Sequence, residues 1–268
     1  MRRPNRRQRG RRALTLLAVG VTVAILAAYA GAAVVQDQGL RITVLSQIQP
    51  FKLPRVTPAP IAVFFSGHIA TPSGSTPPQL QKMVIDVNRH GLLQSAGLPS
   101  CTLSEVQPAS DRRALSKCGD ALVGSGKFYA SVVFPDQSPY PTRGRLLIFN
   151  GKIAGKPVLF AHIYTKTPFA TSFVITFSIR HIHEGPYGTE LVAVLPEALG
   201  DWGFVDRIKL TLKRKYEYRG RELSYFNSAC PASKGTQFAS FPLALARFYF
   251  GSHRPIALKV QKTCKVEG

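Results

Sequence analysis

The chain has 268 residues, a formal net charge of +21 and a hydrophobic fraction of 45%. It contains no internal repeat or low-complexity tract, which excludes a repeat architecture and leaves enough residues for one domain with a substantial core. The surplus of basic residues indicates a partner of negative charge.

The N-terminus has the pattern of an export signal. Residues 1–12 contain seven arginines and no acid, and residues 13–35 contain no charged side chain. A basic flank before an apolar segment of this length is typical of a transmembrane signal anchor or a signal peptide. Because such arginines stay on the cytoplasmic side, we expect a single-pass cell-membrane protein with its C-terminal domain outside. The alternative is a secreted protein, cleaved near "AYA" at residues 28–30.

The exported part stays basic, since subtracting the seven arginines leaves a charge of +14. We therefore expect the membrane as a partner through the N-terminal segment, and an anionic envelope polymer or lipid as a second partner. An intracellular nucleic acid is not expected. No cofactor is predicted either, because "ALVGSGKF" at residues 121–128 has Ala121 and Phe128 where a phosphate loop requires glycine and a hydroxyl residue.

Prolines divide the N-terminal segment from the folded domain. Residues 36–60 carry prolines at positions 50, 54, 58 and 60, which indicates a semi-extended linker. The extracytoplasmic domain is then predicted to cover residues 61–268.

Hydrophobicity with a period of two dominates this domain. In "TSFVITFSIRHIH", residues 171–183, Phe173, Ile175 and Phe177 fall on one face of a strand. About eleven such segments occur, and Gly-containing turns between them favour hairpins. Only residues 110–119 have a helical pattern, with a cap at Ser110 or Asp111. The sequence predicts an all-β, antiparallel β-sandwich-like domain with one short helix, preceded by the N-terminal transmembrane or signal helix.

The four cysteines indicate disulfides. Cys101, Cys118, Cys230 and Cys264 all follow the export segment, and an even number of cysteines in an oxidising compartment favours pairing. Three connectivities are possible, and the local pairs Cys101 with Cys118 and Cys230 with Cys264 are the economical choice.

Several short motifs resemble a group of exported, β-rich bacterial proteins of unknown function. They are "GLPSC" at residues 97–101, "CGDALVGSG" at 118–126, "GPYGTELVAVLP" at 185–196, "ACP" at 229–231 and the late Cys264. The similarity covers most of residues 80–268. It implies an extracytoplasmic β domain with paired cysteines, and it implies no activity, ligand or catalytic residue.

A basic strand is the first candidate site. In residues 207–221 the apolar Ile208, Leu210 and Leu212 alternate with basic residues, so a strand places the two sets on opposite faces. The predicted ligand-binding residues, which would hold phosphates or carboxylates of an envelope component, are Arg207, Lys209, Lys213, Lys215 and Arg219. The other interpretation is a solvated face that keeps an exposed strand soluble.

Two histidines are the second candidate. His181 and His183 are two residues apart, on the face of Phe173 and Ile175, and two such side chains can share a metal if a third ligand is available. That ligand would be His162 or Glu190, which makes an exported metal-dependent hydrolase the alternative function. A structural role at the rim of the core is the competing interpretation. The predicted function is thus an extracytoplasmic binding or scaffolding domain without catalytic residues.

Overall fold

The computed structural model describes residues 32–133, 136–195 and 203–267. The predicted basic flank and most of the apolar segment lie outside these residues. Within the described part of the chain, no helix combines the length and apolar character needed to span a membrane. The chain from Ala33 onward forms one compact unit.

The described residues contain eighteen strands and two short α-helices. The strands are β1 (Ala33–Asp37), β2 (Leu40–Gln49), β3 (Lys52–Leu53), β4 (Ala59–Pro60), β5 (Ala62–Ala70), β6 (Leu80–Asn88), β7 (Gly91–Leu93), β8 (Leu122–Val132), β9 (Tyr140–Ile153), β10 (Lys156–Thr165), β11 (Thr171–Glu184), β12 (Tyr187–Val194), β13 (Gly203–Leu212), β14 (Lys215–Tyr218), β15 (Arg221–Ser224), β16 (Phe226–Ser228), β17 (Phe238–Phe250) and β18 (Ile256–Val266). The helices are α1 (Leu103–Val106) and α2 (Asp111–Cys118).

Thirteen of these strands form one sheet, in the order β1-β2-β5-β13-β8-β9-β10-β11-β12-β6-β17-β18-β3. Neighbours are antiparallel except β18 and β3. Strands β14 and β15 form a separate hairpin, and β4, β16 and β7 form a small third sheet. The all-β prediction is confirmed. In place of the predicted sandwich, the structure has one large curled sheet. It also has more strands than the predicted eleven, because the prediction missed the very short strands and those before residue 61.

The large sheet curls until its two ends meet. Arg254, in the turn between β17 and β18, forms an ion pair with Asp37 at 2.9 Å, and Gln38 Nε2 donates to the Arg254 carbonyl at 3.0 Å. Below these contacts, apolar side chains of β2 and β18, such as Ile42 and Leu258, join one buried cluster. The inner face of the sheet therefore surrounds an apolar interior.

Glycines permit this curvature at β8 and β9. A Cβ on Gly126 would lie 2.0 Å from the Lys209 carbonyl oxygen, and one on Gly144 would lie 2.6 Å from the Tyr164 carbonyl oxygen. Both glycines share the inward face with buried residues such as Phe128. The neighbouring backbones thus occupy space that a side chain would need, as expected where glycine allows a sheet to bend sharply.

The predicted linker at residues 36–60 is wrong, because this segment contributes strands β1 to β4. Leu40, Ile42 and Val44 alternate on β2 and are buried. Their period of two indicates a strand, but the prolines of the same segment led to the prediction of a linker. The prolines at 50, 54 and 58 fall between strands, where they remove no ladder hydrogen bond. Residues 33–35 of the predicted apolar segment lie in β1.

The helices cover part of the outer face of the sheet. α2 matches the predicted helix, and the Ser110 side chain accepts from the Arg113 amide. α1 was not predicted, although Thr102 and Glu105 form the capping box that marks a helix start. Apolar residues of both helices pack on Phe149 and Phe160 in a second buried cluster.

Both predicted disulfides are confirmed. Cys101 is paired with Cys118, with 5.7 Å between the Cα atoms, and Cys230 is paired with Cys264, with 5.8 Å between the Cα atoms. The first links the start of the helical segment to the end of α2. The second links the segment after β16 to β18, near the C-terminal end of the described chain.

Candidate anion-binding face

Strand β13 has one apolar and one basic face, as the alternation predicted. Ile208, Leu210 and Leu212 point into the interior and pack against the main core. Arg207 and Lys209 point outward and are exposed. This arrangement results from the strand period of two, with one face of the sheet buried and the other in water.

Neighbouring strands extend the basic row. Lys209 lies directly opposite Lys127 on β8, and Lys127 lies directly opposite Arg145 on β9. In the next row, Arg207 faces Tyr129, which faces Arg143. The three strands β13, β8 and β9 therefore present a continuous cationic surface. We call it the basic face, and its members are Lys127, Arg143, Arg145, Arg207 and Lys209.

The charges of the basic face are not neutralised within the described chain, where none of its five residues forms an ion pair. Like charges directly opposite each other on a sheet are unfavourable, so an anion that binds between them relieves repulsion. Two acids lie at the margin. Asp206 accepts from the Ser131 hydroxyl at 2.8 Å. Burial raises the pKa of Asp111, although His162, Arg145 and Lys166 act in the opposite direction.

Three of the predicted ligand-binding residues lie away from the basic face. Lys213 is exposed in the connection after β13. Lys215 lies on the separate hairpin, where Nζ is 2.8 Å from Glu222 Oε1. Arg219 occupies the turn of that hairpin, with its guanidinium over the ring of Tyr218 at 5.1 Å. The sequence run is therefore split between the sheet and a hairpin, because the chain leaves the sheet after Leu212.

The missed members of the basic face are Lys127, Arg143 and Arg145. Each alternates with buried residues along β8 or β9, so local alternation marked them as outward. Their adjacency to Lys209 depends on long-range strand register, which no local pattern contains.

The candidate metal ligands do not converge. His181 and His183 are exposed near the end of β11, where the register becomes irregular between His181 and Glu184. Glu190 lies opposite Arg180, whose Nη2 is 2.5 Å from Glu190 Oε1. It also lies 3.6 Å from Arg247, which binds the buried Asp86 at 2.7 Å. Glu190 is thus part of an ion-pair network on the side of β12 that faces away from His181.

His162 lies in a different part of the molecule. It is completely buried, on the outer face of β10 beneath the helices, and not toward the interior. Its Nε2 is 2.9 Å from the Ala109 carbonyl oxygen, and its Nδ1 is 3.9 Å from Asp111 Oδ1. The helical layer explains this placement, because it covers an apolar outer surface that includes Val158 and Phe160.

Among the described residues, the group of His, Cys, Asp or Glu side chains close enough to share a metal is Cys101, Glu105 and Cys118. Its two cysteines already form a disulfide. The four predicted ligands His162, His181, His183 and Glu190 are all described and form no such group. The geometry therefore favours the basic face as the candidate site.

The chain matches no family model, no curated protein and no solved structure.

Proposed function

We propose that this protein is an extracytoplasmic binding domain, held at the cell membrane by its N-terminal segment, that attaches to an anionic envelope polymer or lipid through the basic face. The observation that carries the proposal is the unbroken row Lys209, Lys127 and Arg145 across three adjacent strands. Phosphates or carboxylates repeated along a polymer match such a row, and cations without internal partners remain available to them.

Two features support the extracytoplasmic location. The first is the basic and apolar N-terminal sequence, and the second is the presence of two disulfides, which persist in oxidising compartments. The location is also the one that the resemblance of the short motifs to exported, β-rich bacterial proteins implies. Among the described residues, no contact favours the metal-dependent hydrolase over this binding function.

The test compares two triple variants of equal charge. Lys127→Gln/Arg145→Gln/Lys209→Gln removes the centre of the basic face, whereas Lys213→Gln/Lys215→Gln/Arg219→Gln removes three charges from the connection and the hairpin. Each cation near an anionic surface contributes about 1 kcal/mol, so the first variant should lose affinity by roughly a hundredfold. The control variant should stay within about threefold of the wild type.

The measurement is retention of the full chain, in neutral detergent micelles, on an immobilised phosphate-rich wall polymer across a salt gradient. A neutral polysaccharide column serves as the blank. Equal retention of the first variant and the wild type contradicts the proposal. An equal loss in both variants contradicts the assignment to the basic face, because net charge alone then explains binding.

A further inference from the structure

The interior of the curled sheet contains an apolar cavity of about 280 Å³. Its wall includes Phe65, Met83, Phe177, Leu210 and Leu243. These side chains point inward yet are only half-buried, so the surface that they keep accessible faces the cavity. Protein interiors are normally packed without such voids, and a cavity with this lining suits an apolar occupant.

Most polar groups at the cavity wall already have partners. Asn88 Nδ2 donates to the Pro242 carbonyl at 2.8 Å, and Asn227 Nδ2 donates to the Ser224 carbonyl at 2.7 Å. The exception is the Ser46 hydroxyl, which is buried and has no hydrogen-bond partner within the described chain. An unpaired buried hydroxyl is unfavourable, so a ligand group that bonds to it would remove that penalty.

A lysine on the inward face of the sheet contacts the main chain of the same serine. Lys262 follows Leu258 and Val260 on the same face of β18, and Val260 lines the cavity. Lys262 Nζ donates to the main-chain carbonyl of Ser46. No described carboxylate forms an ion pair with Lys262, and burial lowers its pKa. An ammonium has three donors, so two remain after the bond to Ser46.

The two groups lie at a seam in the sheet. β1 pairs with β2 only as far as Val44, so Ser46 lies beyond this ladder, and among the described strands β2 and β18 share no ladder hydrogen bonds. Lys262 bridges the two strands there through its side chain. The seam therefore brings a cation and a free hydroxyl to the point where the cavity wall lacks a continuous ladder.

We propose that the cavity binds the hydrocarbon chain of a fatty acid, with its carboxylate held at the seam by Lys262 Nζ and Ser46 Oγ. The apolar wall matches the chain, and the unpaired ammonium matches the negative head. An apolar cavity of about 150 Å³ accepts benzene. By proportion, the larger volume here suits a chain of about ten to twelve carbons. This binding site is separate from the basic face, because it lies on the inner side of the sheet and the basic face lies on the outer side.

The test uses two photoreactive probes with the same chain, a dodecanoic acid and a dodecanol that each carry a diazirine. The full chain in neutral detergent micelles is labelled, and the labelled peptides are mapped by mass spectrometry. We expect both probes to label peptides of the cavity wall, and unlabelled dodecanoic acid in excess to suppress this labelling. Leu243→Trp, which fills the cavity, should remove labelling by both probes.

The variant Lys262→Gln examines the head group. It should lower labelling by the acid at least tenfold and leave labelling by the alcohol within about threefold, because only the acid needs the cation. The matched control is Lys259→Gln, an exposed lysine on the same strand, which should change neither. Circular dichroism verifies folding, and the competition with unlabelled acid tests the site without any substitution.

Three outcomes would overturn the proposal. If the probes label peptides outside the cavity wall, or if excess unlabelled dodecanoic acid does not suppress the labelling, the cavity is not the ligand site. If Lys262→Gln is labelled by the acid and by the alcohol as strongly as the wild type is, Lys262 does not bind a carboxylate, and the ligand is a neutral apolar molecule. Stronger competition by a phosphate monoester of the same chain than by the acid replaces the fatty acid with a phospholipid-like ligand. None of these readouts involves the wall-polymer column, so failure here is separable from failure of the basic face.

Discussion

At the scale of single residues, the buried His162 and the half-buried Asp111 form a titratable pair beneath the helices. Their nearest side-chain atoms are 3.9 Å apart, and both His162 Nδ1 and Asp111 Oδ1 lack a hydrogen-bond partner in the described chain. Burial lowers the pKa of His162, although the Ala109 carbonyl and Asp111 oppose this effect. Burial under the helices therefore favours the neutral form of this imidazole.

This placement predicts a pH dependence of stability. The unfolded chain binds a proton at His162 below about pH 6.5, whereas the folded chain resists it, so the free energy of unfolding falls as pH drops below that value. The contribution has a slope of at most about 1.4 kcal/mol per pH unit. His162→Gln should flatten the fall between pH 7 and 5, and the exposed His183→Gln should preserve it. Identical urea-denaturation profiles for the wild type and His162→Gln would show that His162 is not the group involved.

At the scale of secondary-structure elements, the curvature of β8 depends on positions without a side chain. Gly126 faces Leu210 across the ladder, and the preceding carbonyl of β13 occupies the space of its missing Cβ. A pattern of hydrophobicity identifies β8 as a strand but contains no information on this approach. The glycines of "LVGSGKF", residues 122–128, are therefore explained by the bend of the sheet and not by phosphate binding.

A pair of alanine substitutions tests this explanation. Gly126→Ala forces a methyl group against a backbone carbonyl and should lower the free energy of unfolding by about 2–3 kcal/mol. Gly119→Ala is the control, because no atom lies within 4 Å of its Cβ position and its φ is −56°. This change should stay within about 0.5 kcal/mol. Thermal denaturation of the two variants gives the comparison, and equal stabilities would refute the role of Gly126 in the bend.

At the scale of the whole molecule, each of the two disulfides attaches a different segment to the rest of the fold. Cys101 and Cys118 enclose the helical layer with a sequence separation of 17. Cys230 and Cys264 attach the segment that follows β16 to β18, with a sequence separation of 34. In the chain-entropy model these loops contribute about 3 and about 4 kcal/mol. Together they are comparable to the total stability of a typical domain.

Reduction should therefore lower the stability of the whole domain. In the presence of a strong thiol reductant we expect unfolding at a much lower temperature, or loss of cooperative unfolding, as followed by circular dichroism. Cys101→Ala/Cys118→Ala and Cys230→Ala/Cys264→Ala should each produce part of this loss, with the larger part from the second pair. A melting temperature that is unchanged by reduction would mean that the disulfides are dispensable for the fold.

The basic face and the cavity show which inferences required the tertiary structure. Alternation in the sequence placed Lys209 outward on a strand and its apolar neighbours inward, because one face of a half-buried strand is always apolar. Lys262 continues the buried series of Leu258 and Val260 on β18, a signal that the sequence predictions did not use. Alternation did not reveal that Lys127 and Arg145 lie beside Lys209, or that Ser46 lies beside Lys262, because these contacts join segments that are distant in the chain.

The sequence by itself determined most strands and the longer helix, and it favoured the local disulfide pairs among three connectivities, since each depends on periodicity, capping residues or short loops. It misassigned residues 36–60, where scattered prolines outweighed the alternation of Leu40, Ile42 and Val44. Only the tertiary structure decided that one sheet curls until its ends meet, that His162 is separated from His181 and His183, and that an apolar cavity remains inside. The physical reason is that register and curvature arise from pairing between strands, and pairing is a property of the assembled sheet.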